Sequence, residues 1–207
     1  MITMTMTPSE MLAEITNETR VIFAVSDAKQ KKVDKLIRKA AKYPCRVKSE
    51  HTSNRHNQWL LCWVANNKRA IGDDCLFYAG CLVDSPEGIY VMLPMSIKGH
   101  WYLMILSPHL FSRYAERLNI DKTGVDLRHH FLLRNGSYNL HTDNTNQHGE
   151  KVDSVVATCT DGMLLGCKTD NENVFVLRTF VSYDMLKDDQ IPEIAKSERD
   201  RIGVHGY

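Results

Sequence analysis

Ser107-Pro108-His109-Leu110-Phe111-Ser112-Arg113-Tyr114-Ala115-Glu116-Arg117-Leu118 is the stretch on which the fold turns. It predicts a short helix with its own start signal. Ser107 is a natural N-cap, and Pro108 suits the first helical position, where its missing N–H costs nothing. His109, Arg113 and Arg117 recur every fourth residue and so project from one side. Leu110, Phe111, Tyr114 and Leu118 share the neighbouring side and face the core. A histidine in the first turn with two arginines below it can hold an anion beside a proton-transfer group. The same spacing also describes a solvated helix face next to an ordinary core stripe.

On both sides of this helix the sequence pattern is that of β-structure. Residues 57–65, 75–84, 88–94 and 100–106 are rich in aromatic and β-branched residues, with turn signals at Gly72-Asp73-Asp74, Ser85-Pro86-Glu87-Gly88 and Lys98-Gly99. Four strands in hairpin order imply an antiparallel meander. After the central helix, Thr123 caps a second one over about 124–133. A polar loop follows at 135–150, long enough for a functional lid. Then comes a second meander: 151–158, a two-residue turn at Asp161-Gly162, 163–168, a turn at Asp170-Asn171-Glu172-Asn173, and 174–181. Ser182 caps a last helix from Tyr183 to about Gln190.

The N-terminal part reads as helical. Pro8-Ser9-Glu10 opens a helix to about Arg20, and Val21 to Val25 forms a short apolar patch of either type. Ser26-Asp27 caps a helix from about Ala28 to Lys42, with Val33, Leu36, Ile37, Ala40 and Ala41 inward. The fold class is therefore α+β: helical N-terminus, antiparallel meander, two central helices, second antiparallel meander, C-terminal helix. The natural division falls between 1–106 and 107–207, unless the two meanders join in a single domain.

At 207 residues, 43% hydrophobic and 25% charged, the chain is ordinary for a soluble globular protein. Its net charge of +1 excludes any global polyelectrolyte role, but the charge is unevenly placed. Nine Lys or Arg lie between Lys29 and Lys48 against the single acid Asp34, whereas the segment from Asp184 to Asp200 is rich in acids. The six cysteines form no C-x-x-C pair and sit mostly in apolar runs, as reduced thiols of a cytoplasmic protein do. No signal-peptide pattern and no bilayer-length apolar run is present, so no membrane association is expected.

Nine histidines invite a metal, yet none falls in H-E-x-x-H or at zinc-finger spacing, and no metal site is expected. Phosphate-cradling glycine loops, the G-x-S-x-G elbow and dinucleotide fingerprints are missing too, so no cofactor is implied. Metal-independent phosphodiester cleavage remains. It needs a base for the 2′-hydroxyl proton, an acid for the leaving oxygen and cations around the transition state. His109 supplies the proton-transfer group, made base-competent by the positive helix N-terminus, and Arg113 and Arg117 supply the cations.

The order of a helix bearing His-x-x-x-Arg-x-x-x-Arg followed by a β-meander closing on a Thr-rich strand resembles the barnase/EndoU/colicin/RelE-like group of small RNases and toxins. The matching pieces are Pro108 to Arg117, the hairpin Thr158 to Gly166, and Val176-Leu177-Arg178-Thr179-Phe180-Val181, together spanning about 105–190. The resemblance implies that His109 is the general base or acid and that Arg113 and Arg117 clamp the phosphate. It further implies that Arg178, Thr179 and Tyr183 complete the site. Lys31, Lys32, Lys35, Arg38, Lys39 and Lys42 would then form an RNA-facing surface. Trp59, Trp63 and Trp101 are either base-stacking platforms or core.

Two functions follow. One is a metal-independent, toxin-like ribonuclease. The other is a non-catalytic accessory or regulatory protein that binds nucleic acid or a protein partner through the basic face at 29–48. Convergence of His109, Arg113 and Arg117 with Arg178, Thr179 or Tyr183 in one cleft separates them.

Overall fold

The structure is a computed structural model, and it describes residues 1–142 and 153–186. Nine strands build one sheet: β1 (Cys45–Thr52), β2 (Gln58–Ala65), β3 (Leu76–Ser85), β4 (Gly88–Ile97), β5 (His100–Leu106), β6 (Asn139–His141), β7 (Ser154–Cys159), β8 (Gly162–Lys168) and β9 (Val174–Ser182). Their spatial order is β1-β2-β3-β4-β5-β9-β8-β7-β6. The two meanders expected from the sequence are thus halves of one sheet. They join where β5 and β9 run parallel, with Leu103 opposite Val174 and Leu106 opposite Leu177. The helices α2 (Pro108–Arg117) and α3 (Gly124–Arg134) make the crossover that a parallel pair requires.

α1 is one unbroken helix from Pro8 to Lys39, not two helices with a cap at Ser26-Asp27. Thr7 caps it in a reciprocal box with Glu10. Its buried stripe runs through Met11, Ile15, Glu18, Thr19, Ile22, Ser26, Val33 and Ile37. Three of these are polar, which hides the 3.6-residue period from a hydrophobicity count. Their burial is compensated locally: Glu18 accepts hydrogen bonds from Ser53 Oγ at 2.7 Å and Trp59 Nε1 at 2.8 Å, and Thr19 donates to the Ile15 carbonyl at 2.7 Å. The helix ends at Ala40, so Lys42 lies beyond it, and Leu36 and Ala41, expected inward, are exposed.

α2 matches its expectation closely, with Ser107 Oγ accepting from the Leu110 N–H at 3.3 Å. The expected C-terminal helix is not formed in its described part: Tyr183–Met185 is a single 3₁₀ turn, and Leu186 is already extended. Residues 187–190 of that expectation lie outside the described residues, as does 143–150 of the expected loop. Within the earlier part of that loop, Asn139–His141 forms the edge strand β6. The hairpin turn centres on Thr160-Asp161, since Cys159 pairs with Gly162, one residue earlier than expected.

Three layers result. α1 packs on one face of the sheet over Trp59, Leu61, Trp63, Val83, Met92 and Leu103. α2 and α3 pack on the other face through Leu110, Phe111, Tyr114, Leu127 and Phe131. That second core draws on Leu60, Leu82 and Met104 from the first meander and on Val155, Leu164 and Phe180 from the second. A boundary between 106 and 107 therefore runs through a shared core.

Candidate functional site

The groups expected to cleave RNA are not gathered. His109 stands exposed in the first turn of α2, and its side chain forms no hydrogen bond or ion pair among the described residues. Arg113 is paired with Glu116 one turn on, at 2.8 Å. Arg117 is half-buried, and its Nη1 is buried without a partner among the described residues. Phe180 lies beneath α2 with its ring 5.0 Å from that of Tyr114. Its neighbour Thr179 therefore projects from the opposite face of the sheet. Arg178 occupies a bulge opposite Leu165 and Gly166, and its charge acts on Tyr90, a residue of the α1-side core. The Tyr183 hydroxyl donates to the Cys159 carbonyl at 2.6 Å, anchoring the turn after β9 to the hairpin.

Beside α2 sits a polar cluster that the sequence does not announce. Asp161, in the β7–β8 turn, accepts from Tyr114 Oη at 2.6 Å, Arg134 Nε at 2.8 Å and Asn135 Nδ2 at 2.9 Å. The Asn135 side-chain oxygen accepts the Asp161 N–H at 2.9 Å in return. Burial alone would raise the Asp161 carboxyl, but the bonds from Arg134, Tyr114 and Asn135 prevail and its pKa falls below the usual range. Burial and the same carboxylate hold Tyr114 firmly protonated. Every strong acceptor here is already occupied, so the cluster is a latch between α2, α3 and the second meander. The Asp-Gly turn signal marks Asp161, but nothing local to it announces its three partners.

A second polar contact joins β1 to α3. His129 places Nδ1 3.7 Å from Cys62 Sγ and Nε2 3.5 Å from Glu50 Oε1. The order acid, imidazole, thiol has the form of an activated cysteine. Burial nevertheless pushes the Cys62 thiol up to about 12, and the side chain is fully enclosed, so neither thiolate nor access is provided. Among the described residues no group of three or more His, Cys, Asp or Glu is placed to hold a metal ion. No helix among them is long and apolar enough to cross a membrane.

The basic residues of α1 make a different picture. Lys31, Lys32, Lys35, Arg38, Lys39 and Lys42 are all exposed, and none forms an ion pair or side-chain hydrogen bond among the described residues. Asp34, the one acid among them, is turned inward, accepting from Gln30 at 2.8 Å and from the Gly72 N–H at 3.1 Å. Lys29 is held against β1 through Ser49 Oγ at 2.6 Å. The helix C-terminus favours cations, but only over its last turn, which accounts for Arg38 and Lys39 and not for Lys31, Lys32 or Lys35. This ridge and the His109 face lie on opposite sides of the sheet. Trp59 and Trp63 are core residues, not exposed stacking platforms. No protein-family model, no curated protein and no solved structure matches this chain.

Proposed function

We propose that this protein is a non-catalytic binding protein that takes nucleic acid on the basic ridge of α1. One observation carries the reading: six solvent-facing cations stand together, with no ion pair among the described residues, along the end of a helix and just beyond it. Phosphates are the polyanion such a ridge fits, because each neutralised phosphate releases a condensed counterion. A nuclease would need its base, acid and cations around one phosphate, and here they are divided between an exposed helix face, a bulge and the far side of the sheet. The ribonuclease expectation therefore has less to support it than the binding alternative.

The test is the salt dependence of binding to a labelled oligonucleotide, followed by fluorescence anisotropy. Lys31→Ala, Lys35→Ala and Lys42→Ala together are expected to weaken binding. They should also flatten the plot of log affinity against log salt by about one unit for each phosphate no longer neutralised. Wild-type protein that does not bind, or a variant with an unchanged slope, overturns the reading. Capture of an acidic protein by the wild type in that case would move the ridge to the protein-partner class.

A further inference from the structure

β3 and β4 are paired only from Cys81 opposite Met92 to Ser85 opposite Gly88. Beyond that point the two strands part, and each stays bonded to its outer neighbour: Leu76 to Gly80 along β2, and Leu93 to Ile97 along β5. The local sequence explains the split. Pro94 brings no N–H to a ladder, and the missing Cβ of Gly80 is filled by Val91, Leu93 and Leu132, whose methyl carbons would stand 2.8, 2.9 and 3.1 Å from it. The result is a slot through the sheet.

The slot has a volume of about 560 Å³, within the range of small-molecule sites. Its walls come from both cores. Phe77 and Ala79 line it beside Ile22 and Trp59 of the α1 layer, whereas Met95 and Leu132 line it from the α3 layer. Phe23 and Ile97, two large apolar residues left about half exposed, stand at its rim with Ser96. Among the described residues lining it, none carries a charge. Ser137 and Tyr138 also line it, and both hydroxyls are buried with no hydrogen-bond partner among the described residues. Neither hydroxyl has surface open to the slot, so neither is a contact for what the slot holds.

We infer that the slot is a binding site for a neutral, largely apolar small molecule. The lack of wall charge excludes a carboxylate or phosphate from its interior. The width left by a missing strand pairing favours a flat or chain-like body over a globular one. This site is independent of the basic ridge, so each stands or fails alone.

Nile red, a neutral flat dye, is the probe. Titration into the wild-type protein is expected to give saturable binding of one dye per chain, with blue-shifted emission and quenching of Trp101 at the slot wall. Ala79→Phe, which fills the slot, and Ser96→Trp, which blocks its exposed mouth, are each expected to weaken binding at least about tenfold. Failure of the wild type to saturate overturns the inference. So does wild-type affinity in Ser96→Trp, whose exposed position keeps it folded even if Ala79→Phe is not.

Discussion

Tyr114 Oη donates to the Asp161 carboxylate at 2.6 Å, and this bond latches α2 to the β7–β8 turn. Asp161→Ala removes the acceptor shared by Tyr114, Arg134 and Asn135 and leaves the Tyr114 hydroxyl buried without it. Because Arg134 is 42% exposed and hydrated, the cost is set below that of a fully buried pair, at about 2–3 kcal/mol. A lower urea midpoint with an unchanged m value is the expected result.

The same carboxyl gives an acid limb. Its folded pKa lies below its unfolded value of about 4, so its stabilisation is complete above that pH and is lost as pH falls through the folded value. Urea midpoints measured down the acid range are expected to fall more steeply for the wild type than for Asp161→Asn.

His129 and His130 set a second, higher window. Burial and then Lys48 hold His129 below its usual pKa, against Glu50, and burial and then Arg134 do the same for His130. Each is depressed in the folded state, so its stabilisation is complete above about pH 6.5 and declines as pH falls below that. The wild type is expected to lose stability between about pH 7.5 and about pH 5.5. His129→Gln/His130→Gln is expected to hold a nearly constant urea midpoint over that interval.

Two glycines separate crowding from conformation. A Cβ on Gly166 would stand 1.9 Å from the Val176 carbonyl oxygen and 2.7 Å from Leu177 Cα, both backbone atoms. Gly166→Ala is expected to cost about 3 kcal/mol or more by forcing β8 and β9 apart at the Arg178 bulge. Gly72 has φ of +60° and nothing within 4 Å of a Cβ, so Gly72→Ala should cost only about 1–2 kcal/mol. Thermal unfolding of the two variants side by side makes the comparison.

Dispersal of the expected catalytic groups predicts that the protein leaves labelled RNA intact in EDTA. Gel analysis after prolonged incubation is the measurement. Cleavage by the wild type that disappears in His109→Ala would restore the nuclease over the binding protein.

Local signals are legible where they are self-contained. The Ser107–Pro108 start of α2 and the turn residues between β2 and β5 lie beside the elements they define, and those elements appear where expected. α1 reads as two helices because Glu18, Thr19 and Ser26 interrupt its apolar stripe, and the Ser53 and Trp59 side chains that satisfy Glu18 are distant in sequence. β1 escapes a pattern reading because it is an edge strand with no fully buried residue: its outward positions Arg46, Lys48 and Glu50 reach Leu133, Asp126 and His129 of α3 by polar contacts, which a hydrophobic period does not register. The slot leaves still less trace. Pro94 hints at it, but a gap between strands is a relation between two segments, visible in neither alone. The basic ridge, by contrast, needs only helical spacing to be found.

The parallel seam between β5 and β9 bears on how the chain folds. Every other strand pair in the sheet joins neighbours in sequence, whereas Leu103 and Val174 are roughly seventy residues apart. Closing so long a loop costs chain entropy before any seam pairing repays it, so each meander can assemble quickly while their union waits. Until then β5 and β9 both present bare edges, the condition that invites pairing with another chain. Refolding yield should therefore fall with protein concentration, and the vulnerable interval should end when the Leu103–Leu106 and Val174–Leu177 backbones engage.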